Sequence, residues 1–216
     1  MNVFDLRSVH VAVIWSDSSP KYVARKRRME SMFENIGLPV TFHLSGNHYP
    51  YSLARANIEI MQEHVNHSTK PLLILEDDLG WSGQTVFSVP QDADIMYLGM
   101  SALGVDRYAN MHDTCVFDGL EKRIVPTHTG VVRILNSLTT HAVMYINPDI
   151  LRILIPLFAY TINNPEPQIV LDVALARLQP LFKTYGCNPP VFWQSSEVDD
   201  SPHQKQAETL TRFSYK

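Results

Sequence analysis

Cysteine is nearly absent from the chain: Cys115 and Cys187 are the only two in 216 residues. Two thiols in unrelated contexts are too few for a disulfide framework or a closed zinc site. A basic excess is also missing. Eighteen Lys and Arg stand against 22 Asp and Glu, a formal net charge of −4. That balance argues against nucleic acid as a partner, because backbone-phosphate binding needs a basic excess or a concentrated basic face. It leaves room for a small phosphorylated ligand, which a few local charges can hold. No long apolar run is present either. The longest, Ile150 to Ile162, is broken by Arg152 and Pro156 and is too short for a bilayer, so no membrane insertion is expected. The amino-terminal stretch Met1 to Arg7 has no basic region followed by an apolar one, so no secretion signal is read there and a cytoplasmic, soluble chain is expected. Repeats, low-complexity tracts and interior linkers are lacking too. One domain over residues 1–216 is expected, either alone or as a unit of a longer polypeptide.

Apolar residues make up 45% and charged residues 19%, the composition of an ordinary globule with material for a core. Val11 to Trp15 reads as a buried strand, and the Ser16 to Pro20 loop after it can cap a helix. Tyr22, Met29, Met32, Phe33 and Ile36 then recur at helical spacing until Gly37 stops the helix. A strand over Val40 to Leu44, a helix over Leu53 to Val65 and strands over Leu72 to Leu75 and Ile95 to Leu98 follow. The order β-α-β-α-β-β is that of an α/β sheet with crossover helices. Farther on, hairpin-like runs are expected near Cys115 and from Gly130 to Leu135, and a strand over Ala142 to Ile146. The spacing next predicts a helix opened by Pro148 and interrupted by Pro156, a short helix over Ile169 to Leu178, and a last strand at Val191 to Trp193.

Glu76, Asp77 and Asp78 follow four aliphatics directly, which puts three carboxylates at the carboxyl end of a parallel strand, where open α/β sheets bind ligands. Three adjacent negative charges are unfavourable unless a cation neutralises them, and hard oxygen ligands select Mg²⁺ or Mn²⁺. The alternative is a solvated acidic turn. Asp92 and Asp94 precede their strand, lie at the opposite sheet edge and read as a structural turn. The run Arg25 to Arg28 sits near a helix start, where a phosphate could be held; most of it reads as a solvated face, with Arg28 the inward-looking exception. Asp172 stands among apolar residues in the first turn of its helix. There it either favours the helix dipole or points into a cleft as a general base with a pKa raised by burial. His203 lies beside Asp199 and Asp200 and reads as a surface histidine or a late metal ligand. His141 reads as a packed histidine.

Several segments form an ordered set: the strand and basic helix from Val11 to Gly37 with Arg28-Met29-Glu30, and Leu73-Ile74-Leu75-Glu76-Asp77-Asp78-Leu79. Asp94 to Gly99, Thr140 to Ile146, Asp172 and Asn188 to Gln194 complete it. In that order they resemble family 25 glycosyltransferases, the group of lipopolysaccharide and procollagen galactosyltransferases, and similar domains in large algal viruses. Departures stand after the first strand, where Trp15-Ser16-Asp17 replaces the family's asparagine and early arginine, and in the second helix at Ala56-Asn57. The resemblance implies an α/β fold of the Rossmann-like GT-A type, with a mixed central sheet flanked by helices. It implies transfer of a sugar, with inversion, from a nucleotide diphosphate donor such as a UDP-sugar to a hydroxyl of a glycan or glycoprotein acceptor. In that scheme Asp78, with Glu76 or Asp77 and with His203, holds Mn²⁺ or Mg²⁺. Trp15, Ser16, Asp17 and Arg28 contact the donor, and Asp172 is the base. A viral chain of this kind would act in the host cytoplasm. Two other readings are carried: a metal-dependent phosphoester hydrolase, and a non-catalytic nucleotide-sugar-binding module.

Overall fold

The computed structural model describes residues 1–47, 51–100, 124–128, 130–137, 139–163 and 171–194. The hairpin expected near Cys115, the start of the helix expected from Ile169, and His203 with the polar segment after Ser195 lie outside these residues.

Along the chain run β1 (Asn2–Asp5), a 3-10 turn (Leu6–Ser8), β2 (His10–Trp15), α1 (Pro20–Asn35), β3 (Val40–Leu44), α2 (Tyr51–His67), β4 (Leu72–Glu76), β5 (Leu79–Trp81), β6 (Val86–Val89) and β7 (Ile95–Tyr97). There follow β8 (Ile124–His128), β9 (Val131–Ile134), β10 (Ala142–Tyr145), α3 (Pro148–Asn163), α4 (Leu171–Leu178), β11 (Thr184–Cys187) and β12 (Phe192–Gln194). Eight strands form one mixed sheet in the order β3-β2-β4-β10-β7-β11-β9-β8, and two small pairs, β1-β6 and β12-β5, stand beside it. β2 runs parallel to β3 and β4, whereas β10 runs antiparallel to both β4 and β7. The acidic turn and the β2 loop therefore leave the sheet at the same edge.

Burial on both faces explains the continuous apolar runs. On β2, Ala12 and Ile14 join the core layer that holds Ile60 and Met61 of α2 and Leu151, Leu154 and Phe158 of α3. Val11 and Val13 face the other way, into a second layer with Met29 and Phe33 of α1. Helix α1 begins with Pro20 in its first turn and ends at Gly37, whose φ of 64° is in the left-handed region. There Gly37 N–H donates to Glu34 O and Leu38 N–H to Phe33 O, a Schellman closure that a residue with a Cβ would strain.

Two expectations change. Pro156 does not interrupt its helix: α3 runs unbroken from Pro148 to Asn163. The missing amide faces outward, since both Pro156 and Arg152, whose carbonyl it leaves without a helical partner, are exposed and water can serve that carbonyl. The buried stripe Leu151, Leu154 and Phe158 holds the two halves in one line. The strands β1, β5, β6 and β11, three or four residues each, add elements too short for periodicity to reveal.

Gly99, just beyond β7, sits under the acidic turn's neighbours. A Cβ there would lie 2.4 Å from His141 Nε2 and 2.8 Å from Phe192 O. Neither neighbour can yield, because His141 is 1% exposed and the second is backbone. Gly99→Ala is therefore expected to lower stability at the upper end of the ~1–3 kcal/mol typical of overpacking. Chemical denaturation checks this; wild-type stability would contradict the packing.

Candidate functional site

Strand β4 delivers the site. Leu72 to Leu75 are buried on both faces, so the chain's register is determined there and Glu76, Asp77 and Asp78 emerge at its carboxyl end. The parallel neighbour β2 brings Trp15 and Ser16 to the same edge. Between these turns, the loop after β3 and the start of α2 lies a cleft of about 250 Å³, with Tyr22, Arg25, Ser45 and Asn47 also on its wall. A side pocket of about 280 Å³, containing Tyr51 and Arg55, shares Gly46 and Ser52 with it.

Each carboxylate has a different partner. Asp77 accepts a hydrogen bond from the Ser16 backbone N–H, and its Oδ1 stands 3.6 Å from Arg25 Nη1. Burial outweighs that guanidinium and pushes the Asp77 carboxyl up to about 6. Glu76 Oε1 accepts from Thr140 Oγ1 at 2.9 Å. Burial and the neighbouring Asp78 and Asp172 carboxylates push Glu76 up to about 8, which favours its protonated form. Asp78 is raised by burial against the opposing charges of Arg25, Arg28 and Lys21, and its buried Oδ1 has no hydrogen-bond partner among the described residues.

Asp172 opens α4, and its Oδ1 accepts from the Val173 N–H at 2.8 Å. Burial raises its pKa, and its charge acts on both Glu76 and Tyr97. Glu76 thus links the two: it lines the cleft and lies within electrostatic reach of both Asp78 and Asp172.

Of the residues named from sequence, Trp15, Ser16, Glu76, Asp77 and Asp78 share the cleft; Asp172 does not line it, and its charge acts on Glu76. Asp17 is exposed and does not line it. Arg28 acts on Asp78 from outside the wall, its Nη2 donating to Leu79 O at 2.9 Å. The arginine that enters the cleft is Arg25, one helical turn earlier, with a side chain 16% exposed and its guanidinium 5.3 Å from the centre of the Tyr22 ring. Sequence reasoning missed it, although Tyr22, Arg25 and Arg28 recur at three-residue steps and so share a helix face with Met29. Asp92 and Asp94 are the structural pair expected. Asp94 accepts from Lys183 N and Asn147 Nδ2, and Asp92 from the Tyr185 hydroxyl, at the opposite edge. His141 is packed, with Nδ1 2.5 Å from Thr139 Oγ1, and burial pushes it down to about 3. Burial also pushes the Cys187 thiol up to about 12, far from a reactive range.

Among the described residues no group of three or more His, Cys, Asp or Glu converges on one point. A hard cation that binds with its substrate needs less: Mg²⁺ is commonly held by one or two carboxylates plus substrate phosphates. Asp78, which lines the cleft and whose buried Oδ1 has no hydrogen-bond partner among the described residues, fits that arrangement.

No family model and no curated protein matches this sequence. Its structure is similar to the crystal structure of a glycosyltransferase involved in the glycosylation of the major capsid of PBCV-1. The TM-score is 0.52 at 9% identity, over 94% of this chain and 99% of that one. The chain shares its fold with a glycosyltransferase. The large mixed sheet flanked by helices, expected from sequence, agrees with that likeness. Among the described residues no helix is long and apolar enough to cross a membrane.

The buried acids make stability pH-dependent. Glu76 carries a folded pKa near 8 against an ordinary 4.5, so between these values the folded chain holds a proton that the unfolded chain has lost. Stability from this group is full below pH 4.5 and falls as pH rises toward 8. Glu76→Gln is expected to flatten that decline and to melt above the wild type at pH 8. Parallel melting curves of the two proteins from pH 5 to pH 8 would contradict it.

Proposed function

We propose that this chain is a glycosyltransferase of the GT-A type, of the kind resembled by family 25. It would move a sugar from a nucleotide diphosphate donor, UDP the expected nucleotide, to a hydroxyl of a glycan or glycoprotein acceptor. The observation that carries this reading is Glu76, which lines the cleft with Asp77 and Asp78 and lies within electrostatic reach of the Asp172 carboxylate on α4. The shared fold supports it.

In this reading the β2 loop, with Trp15 and Ser16, holds base and ribose, and Arg25 faces the diphosphate. Mn²⁺ or Mg²⁺ held at Asp78, with His203 as a further ligand, would stabilise charge on the leaving diphosphate. Asp172 takes the proton of the acceptor hydroxyl as its oxygen attacks the anomeric carbon. The bond from that carbon to the diphosphate oxygen breaks on the far side, which inverts the centre. A base with a pKa raised by burial is the stronger for it.

A thermal-shift screen of nucleotide sugars with and without Mn²⁺ tests the reading. The correct donor stabilises by RT ln(1 + [L]/Kd), about 2.7 kcal/mol at a hundredfold excess over Kd. That donor should then release its nucleoside diphosphate when a glycan acceptor is added. Stabilisation by no nucleotide sugar would refute the proposal. Binding without release would mark a non-catalytic module, and Mn²⁺-dependent cleavage of simple phosphoesters would mark a hydrolase.

A further inference from the structure

Asp172 and Gln179 stand seven residues apart, two helical turns, and therefore lie on one face of α4 and its end. Gln179 is completely buried and uses both ends of its amide. Its Oε1 accepts from Ser137 N at 2.6 Å, and its Nε2 donates to Ser137 O at 2.8 Å and to the Tyr97 hydroxyl at 2.7 Å. These partners lead back to the site. Tyr97, fully buried at the end of β7, senses the Asp172 charge, and three residues beyond Ser137 the Thr140 hydroxyl holds Glu76.

Apolar packing orients α4 coarsely. Leu171, Val173, Ala174, Leu175 and Ala176 are all buried, while Asp172 and Arg177 are only partly so, which sets the general face of this short helix. Hydrophobic burial is non-directional and does not define the rotation of such a helix finely. Hydrogen bonds are directional, and three of them at 2.6–2.8 Å admit little rotation or sliding. We infer that Gln179 is a positioning residue: it fixes the rotation and height of α4 against the sheet, and thereby the Asp172 carboxylate relative to Glu76. The inference rests on the reading of Asp172 as the base, and it adds a residue that no sequence motif singled out. Tyr97 is the second member of the tether.

Gln179→Met keeps the length of the side chain and removes all three hydrogen bonds; Tyr97→Phe removes one. UDP release from UDP-galactose and UDP-glucose, with Mn²⁺ and the full chain, is measured in both variants and in the Asp172→Asn background. Gln179→Met is expected to lower kcat by about 10–100-fold, the scale of a misplacement of about 1 Å, with KM for the donor nearly unchanged. In the Asp172→Asn background it should produce no further loss, because it acts through the same carboxylate. An equal loss in both backgrounds, or an unchanged kcat, overturns the inference. Amide exchange of residues 171–178, which needs no donor, should be at least about tenfold faster in Gln179→Met, since a tethered segment opens less often. Wild-type exchange there overturns the inference by itself. Asp172→Asn with normal turnover would instead sink the base assignment while leaving the exchange result to judge the tether. Should Gln179→Met fail to fold, Tyr97→Phe takes the same readouts, with smaller shifts in the same directions expected and wild-type values overturning.

Discussion

Asp172→Asn is expected to lower turnover by about 10²–10⁴-fold, the usual contribution of a positioned general base, while donor affinity stays near that of the wild type. The substitution is nearly isosteric, and the Asn Oδ1 can still accept from the Val173 N–H, so the start of α4 keeps its local bond. What disappears is the proton acceptor. The burial that raises the Asp172 pKa also predicts the pH profile. The base works only when ionised, so turnover should climb with pH through a value above the ordinary carboxylate range. Donor affinity is measured by titration with Mn²⁺ and turnover by nucleoside diphosphate release. Near-normal turnover would remove Asp172 from the chemistry, and lost donor affinity would move it to the binding site.

Asp78→Asn should separate function from stability. Mn²⁺-dependent donor binding is expected to weaken by at least about 10²-fold, since even an outer-shell partner of a metal ligand is worth 10–100-fold. The fold should tolerate the change or gain from it. Asp78 has a folded pKa raised by burial, so ionising it opposes folding, and its contribution is lost as pH rises through that folded value. An amide at this position has no charge to desolvate. The melting temperature at pH 7 should therefore match or exceed the wild type, a pattern typical of sites whose strain serves function. Undiminished Mn²⁺-dependent binding would sink the metal role of Asp78. A large drop in melting temperature would show that Arg25, Arg28 and Lys21 need this carboxylate more than burial opposes it.

How far the site was legible in sequence differs residue by residue. The acidic turn was legible because the four aliphatics before it can only be a strand covered on both faces, and such a strand exposes its polar residues at its end. The end of α1 was legible at Gly37 for a similar local reason. Pro156 misled because its effect depends on which way it faces: the same residue on the buried stripe of α3 would have left an unpaired carbonyl in the core. Arg25 and Arg28 are chemically equivalent in sequence, and only the rotation of α1 against β2 chose between them. Gln179 had no signal at all, since a lone glutamine after an apolar helix is ordinary until its three partners are known.

By itself, then, the sequence determined the alternation of strands and helices, the two covered faces of the central strands and the clustering of acids at one strand end. Those properties follow from local periodicity and burial, which neighbouring residues carry. Only the tertiary structure decided that β10 inserts antiparallel between β4 and β7, and that α4 presents Asp172 to Glu76. It also decided which of three adjacent acids is pushed furthest toward its protonated form, which is paired with an arginine and which, among the described residues, has an oxygen left without a partner. The reason is physical: a carboxyl group's ionisation and orientation depend on desolvation and on charges brought from distant segments, and strand register, not residue type, sets those distances.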